Sequence, residues 1–154
     1  MHDPINPARY LRCCLMALML VHGAIAQAAP TASVSIEGRQ WASASNGAAL
    51  PWGEADAYCR GLAVDGHDDW RLPTLDELDT LIDRDRSSIR APLALDDCCL
   101  WSSTSLQERP GDGGEDTGAP ASHYFWGIVF DGGIPYYSNR VFADGQALCT
   151  RDGG

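Results

Sequence analysis

The run Asp69-Trp70-Arg71-Leu72-Pro73-Thr74-Leu75-Asp76-Glu77-Leu78 constrains this chain more than any other stretch, because it dictates a sharp change from extended backbone to helix. Trp70 and Leu72 alternate with polar neighbours, as in a half-buried strand. Pro73 biases Leu72 away from helical backbone angles. Thr74 and Glu77, three residues apart, form a capping box in which each side chain satisfies an amide left unpaired by the first helical turn. Leu75, Leu78, Leu81 and Ile82 then recur at helical spacing and give one apolar stripe, predicting a helix that stops near Asp83. Within this stretch Trp70 is expected to fill core. Arg71 is expected to make half-buried bonds to carboxylates or carbonyls rather than to meet a ligand.

The N-terminal residues read differently. Arg9 and Arg12 precede an apolar run from Cys13 to Ala26, and Ala24-Ile25-Ala26 or Ala26-Gln27-Ala28 offers small residues for cleavage. Residues 1–26 are therefore predicted to be a secretory signal peptide. An uncleaved anchor is the alternative, but the run falls short of the about 20 apolar residues that span a bilayer. Export to the periplasm, the cell surface or the medium follows, with no membrane insertion once the signal is removed. Residues 27–40 read as a short linker or first strand, and 41–152 as one domain.

Removing 1–26 takes away Arg9, Arg12 and Asp3, which leaves nine arginines against twenty acids, a net charge of −11, with no lysine anywhere. Such a surface repels phosphate backbones, so nucleic acid is excluded as a partner, and sulfated polysaccharide is disfavoured in the same way. Cys13 and Cys14 leave with the signal. The remaining Cys59, Cys98, Cys99 and Cys149 are expected to be bridged in an exported protein, and four cysteines allow three pairings. No C-x-x-C pair exists to favour zinc, and neither a metal nor any other cofactor is expected.

Along the domain, Val34, Ile36 and Trp41 suit a first strand. Pro51 stands at the start of a helix whose Trp52, Ala55, Cys59 and Leu62 fall on one face. Residues 84–97 lack periodicity. Cys99 to Ser105 reads as a strand carrying Trp101 and a run of hydroxyls. Tyr124 to Phe130 is aromatic and β-branched, hence a central strand. Asp131-Gly132-Gly133 turns it into a second strand reaching Phe142, and Ala147 to Arg151 closes the domain as a last strand.

Candidate chemistry is sparse. Ser102, Ser103, Thr104 and Ser105 with His123 do not make a nucleophile arrangement, since no G-x-S-x-G elbow is present; hydroxyls satisfying the local backbone account for them better. No catalytic residue is assigned. Asp112, Glu115 and Asp116, in the glycine-rich stretch between Pro110 and Pro120, offer oxygen ligands but lack EF-hand spacing, and a solvated loop is the plainer account. Tyr124, Trp126, Tyr136 and Tyr137 could stack on a glycan, although strand alternation sends about half of them into the core. The candidate ligand-binding residues are thus Tyr136, Tyr137, Asp112, Glu115 and Asp116.

Tyr58-Cys59, Asp69 to Thr74, Trp101 to Ser105, Phe130 to Gly133 and Leu148 to Arg151, in that order, resemble the DUF1566 family, named for the C-terminal domain of the Legionella collagen-like adhesin. The resemblance spans Trp41 to Asp152. It implies an α+β fold of the C-type-lectin and formylglycine-generating-enzyme kind, with two helices packed on twisted, mostly antiparallel strands with long loops. It also implies a secreted or surface binding domain for a glycan or protein ligand, sometimes trimeric, so that a homo-oligomer is an expected assembly. The adhesin's association with sulfated glycosaminoglycans is opposed here by the negative charge. A structural or assembly module, or an enzyme related to the formylglycine-generating domains, are the alternatives. The resemblance further points to a Cys59–Cys149 bridge between the first helix and the last strand. Cys98 and Cys99 then either form a vicinal disulfide or stay as two thiols.

Overall fold

A two-residue turn, Glu37-Gly38, folds the first apolar run into a hairpin of β1 (Ser33–Ile36) and β2 (Arg39–Ala42), where the residues themselves allowed a single strand. The computed structural model of the protein describes residues 29–93, 95, 98–111 and 119–153; the signal peptide expected over 1–26 and the candidate ligands Asp112, Glu115 and Asp116 lie outside them.

After the hairpin, Pro51 precedes α1 (Trp52–Arg60), which buries Ala55 and Cys59. The organising run follows. Arg71 exchanges both backbone hydrogen bonds with Thr150 at 2.9 Å, so Trp70 and Leu72 turn inward, 2% and 1% exposed. The expected strand is only this single bridge. Thr74 then caps α2 (Leu75–Thr80): its hydroxyl accepts the Glu77 amide at 3.2 Å, and Glu77 Oε2 accepts the Thr74 amide at 2.8 Å. Leu75 and Leu78 are buried on one face of α2.

The helix ends at Thr80, earlier than its stripe predicts. Leu81 and Ile82 are still buried, but Ile82 already belongs to β3 (Ile82–Asp83), paired antiparallel with β4 (Ser88–Ile89). The Asp83 carboxylate explains the early stop. It accepts the amides of Asp85 and Arg86 at 3.2 Å and the Arg86 guanidinium at 2.7 Å, a local alternative to helical bonding.

The second three-stranded sheet has the order β5 (Cys99–Ser105), β6 (Tyr124–Val129), β7 (Ile134–Asn139), all antiparallel, with the aromatic β6 in the centre. Strand β7 stops at Asn139 and does not reach Phe142, because Asn139 turns the chain by accepting the amides of Val141 and Phe142. The expected closing strand shrinks to β8 (Thr150–Arg151), which completes the first sheet in the order β1-β2-β8. Before it, Asn46 Oδ1 takes the Ala147 amide at 2.7 Å, so a side chain supplies what a ladder would have given. Among the described residues the result is α+β, with two α-helices and mostly antiparallel strands in small sheets. No described helix is long and apolar enough to cross a membrane.

Cys59 and Cys149 are joined across the core, with Cα atoms 5.3 Å apart and both side chains buried, and Cys98 is joined to Cys99. One apolar cluster gathers around this bridge and includes Trp70, Leu72 and Trp101; a second collects Trp41, Leu78, Leu81, Leu100, Ile128 and Leu148.

Gly127 on β6 sits where no side chain fits. A Cβ there would lie 2.6 Å from the Leu100 carbonyl oxygen and 2.7 Å from the Tyr136 ring. Gly127→Ala therefore has to displace backbone, and we expect a loss of about 1–3 kcal/mol. A urea midpoint equal to the parent's would refute that packing.

Candidate functional site

Glu77 is the centre of the charged network at the organising run. Arg71 grips it with two guanidinium nitrogens, each at 2.8 Å, Arg39 approaches at 3.0 Å, and the Thr74 amide holds the same carboxylate. Asp152 joins Arg39 at 2.6 Å and Arg71 at 3.3 Å. Burial alone would raise the Glu77 carboxyl. Hydrogen bonds from Arg71 and Thr74, with the positive charges of Arg71 and Arg39, outweigh it and hold the group below its ordinary 4.5. Every group here already has partners, so the network ties the hairpin, α2 and the C-terminal segment together. Nearby, Arg151 donates to Asp69 at 2.7 Å.

Trp70 and Trp101 are core residues whose ring N–H groups donate to the carbonyls of His67 and Leu50. The Ser102 and Ser103 hydroxyls donate to the carbonyls of Trp126 and Pro73. These hydroxyls serve the backbone.

Tyr136 and Tyr137 point to opposite faces of β7. The Tyr136 ring crosses Gly127 and packs near Trp101, and its hydroxyl donates to the Asp144 carbonyl at 2.8 Å. Burial, and then the Asp144 charge, push its hydroxyl well above the usual tyrosine range. It is held by the fold. Tyr137 meets Trp126 and Tyr124 edge to face, at 5.3 and 6.3 Å between centroids. Gly111 lies against Tyr137 and Trp126, and the Trp126 ring donates to the Arg109 carbonyl at 2.8 Å. The aromatic surface expected from sequence is thus partly covered by the strand-to-loop segment that carries Arg109.

That same face of the sheet borders a groove of about 290 Å³. Its base is Leu75, Ile128 and Gly133, with Pro135 exposed at the rim. Gly133, at φ +63°, lets the β6–β7 turn seat directly on Ile82 and fixes that end. Asp76 and Asp79 stand three residues apart on α2, on an exposed face that flanks the buried leucines, and so project together. Each is paired with an arginine from a different loop: Asp76 with Arg109 at 2.7 Å and Asp79 with Arg84 at 2.5 Å. Two other grooves differ in character. One, of about 540 Å³, lies on the other side of the Asp79–Arg84 pair, which lines both, and is walled mostly by charged side chains. Another, of about 400 Å³, is walled by Ile89, Leu93, Leu95 and Phe130.

Sequence reasoning did not single out Asp76, Asp79, Arg84 or Arg109 as site residues. The i, i+3 spacing of the two acids beside the leucine stripe was a usable signal for half of the group; nothing local marks Arg109.

Searches of curated proteins and of solved structures return no match. The family model of the Lcl C-terminal domain matches residues 33–151, the whole span from β1 to β8. With the capped α2, the aromatic hairpin, Cys149 and the closing β8 all inside that span, the chain belongs to the Lcl C-terminal domain family.

Proposed function

We propose that the protein is an exported binding domain, acting at the cell surface or in the periplasm, which recognises a glycan through a C-type-lectin-like fold. The observation that carries this reading is membership of the Lcl C-terminal domain family from the first strand to the last. The buried Cys59–Cys149 bridge supports export, since such bonds persist in oxidising compartments. The hairpin-to-last-strand sheet and the two helices suit a lectin-like arrangement, in which long loops carry the ligand surface. A protein ligand is the second reading, favoured by Val141 and Phe142, which are 66% and 58% exposed at one loop.

A glycan array and a pull-down with the mature protein separate the two. We expect retention of glycans lacking sulfate, and no salt-sensitive heparin retention, because nine arginines face twenty acids after export. Capture of proteins alone would replace the glycan reading by the second one. Tight heparin binding near neutral pH would show that clustered arginines override the net charge. Intact mass of the exported protein tests the signal; retention of residues 1–26 in the soluble product would refute export by cleavage.

A further inference from the structure

We infer that the groove between α2 and the β6–β7 hairpin is a subsite for one uncharged sugar ring, read through its vicinal hydroxyls by the Asp76–Arg109 and Asp79–Arg84 pairs. This rests on the glycan reading above and assigns it a place and a ligand class. The volume of about 290 Å³ lies at the small end of ligand sites, enough for a single ring and too small for a folded segment of a partner. The two walls carry two carboxylates and two guanidiniums, so the local charge sums to zero. An anionic sugar would meet Asp76 and Asp79 without gain, and a cationic one would meet Arg84 and Arg109.

The pairing does not exhaust either side. A carboxylate has about four acceptor sites and a guanidinium five N–H donors, and each ion pair here uses one short contact. Each pair therefore presents an acceptor beside a donor. A vicinal diol is the matching motif: one hydroxyl donates to the carboxylate while its neighbour accepts from the guanidinium. Both acids come from one short helix and their arginines from two separate loops, so the two pairs address hydroxyls at different positions of one ring. Pro135 at the rim supplies an apolar surface for the ring's C–H face. A peptide anchor would want a deeper apolar pocket and free backbone groups, which the charged walls do not provide.

The test is an amide-shift NMR titration of the mature protein with the methyl glycosides of glucose, galactose, mannose and N-acetylglucosamine, with N-acetylneuraminic acid as the anionic comparator. At least one neutral glycoside should saturate shifts at Leu75, Asp76, Asp79 and Arg109, with little change on adding salt. Asp76→Asn and Arg109→Gln should each weaken it about tenfold, the scale of one charge-assisted hydrogen bond. Glu54→Gln, at an exposed position of α1, should leave it unchanged. Saturable shifts confined to another surface would overturn the groove and leave the glycan reading standing. A preference for the anionic sugar in the groove would overturn the neutral class. Absence of shifts with every sugar would overturn the inference, while the array above decides the glycan reading separately.

Discussion

A Cys59→Ala, Cys149→Ala double variant is expected to lose about 4–5 kcal/mol of stability, the largest effect of any change considered for this chain. The bridge closes a loop of sequence separation 90, and in the chain-entropy model that restricts the unfolded ensemble by roughly this amount. Both sulfurs are also core atoms, with Cys59 on the buried face of α1 and Cys149 beside Trp70 and Leu72 in the same apolar cluster. Replacing them removes packing as well as the cross-link. Mutation separates this bond from Cys98–Cys99, which a reductant would open as well. Urea unfolding of the oxidised parent and the double variant measures the difference. Overlapping curves would mean that the bridge is absent or adds nothing.

Glu77→Ala is the second large effect, at about 2–4 kcal/mol. The substitution removes the capping-box acceptor, worth about 1 kcal/mol, and strips Arg71 and Arg39 of their shared carboxylate. The arginines are partly exposed, so water recovers part of the loss and the estimate stays below that for a fully buried pair. Glu77→Gln, which keeps an acceptor for the Thr74 amide, should lose less. The pH dependence has a definite sign. The folded pKa of Glu77 lies below its ordinary 4.5, so its stabilisation is complete above that value and is lost as pH falls through the lower folded value. Parent and Glu77→Gln should therefore differ most near neutrality and converge in acid. An equal midpoint for parent and Glu77→Ala at neutral pH would show that the network is ornamental.

How much of this was legible in the sequence follows from the range of each interaction. The Thr74–Glu77 cap, the α2 leucines and the Gly-Gly turn before β7 are set by residues within four positions of one another, and spacing alone reveals them. That Arg71 bonds carboxylates or carbonyls follows from a half-buried arginine's need for partners. Which carboxylates was hidden: Asp152 lies 81 residues away, and Arg39 reaches Glu77 only because the first hairpin folds alongside β8. The early end of α2 was missed because the Asp83 side chain competes with the helix, which an apolar stripe does not show. Alternation sends Tyr136 and Tyr137 to opposite faces but does not say which of them is buried. Gly127 and Gly145 separate them by making room for one ring against the sheet, and that depends on register. The groove was hidden for the same reason: its arginines come from loops that spacing does not place.

The sheet that joins the two ends of the domain also decides how it would bear a pull. Because β1 and β8 are each antiparallel to β2, they run parallel to each other, and the chain enters at one end of the sheet and leaves at the other. Tension applied through the flanking chain loads those strands lengthwise, so their hydrogen bonds must shear together instead of opening one at a time. If the sheet gave way, Cys59–Cys149 would carry the force across the core and leave the enclosed residues slack. At about 3.4 Å per extended residue, roughly 300 Å of chain would stay out of the stretched path, and with it α2 and its groove, whereas the part of α1 that precedes Cys59 would be loaded.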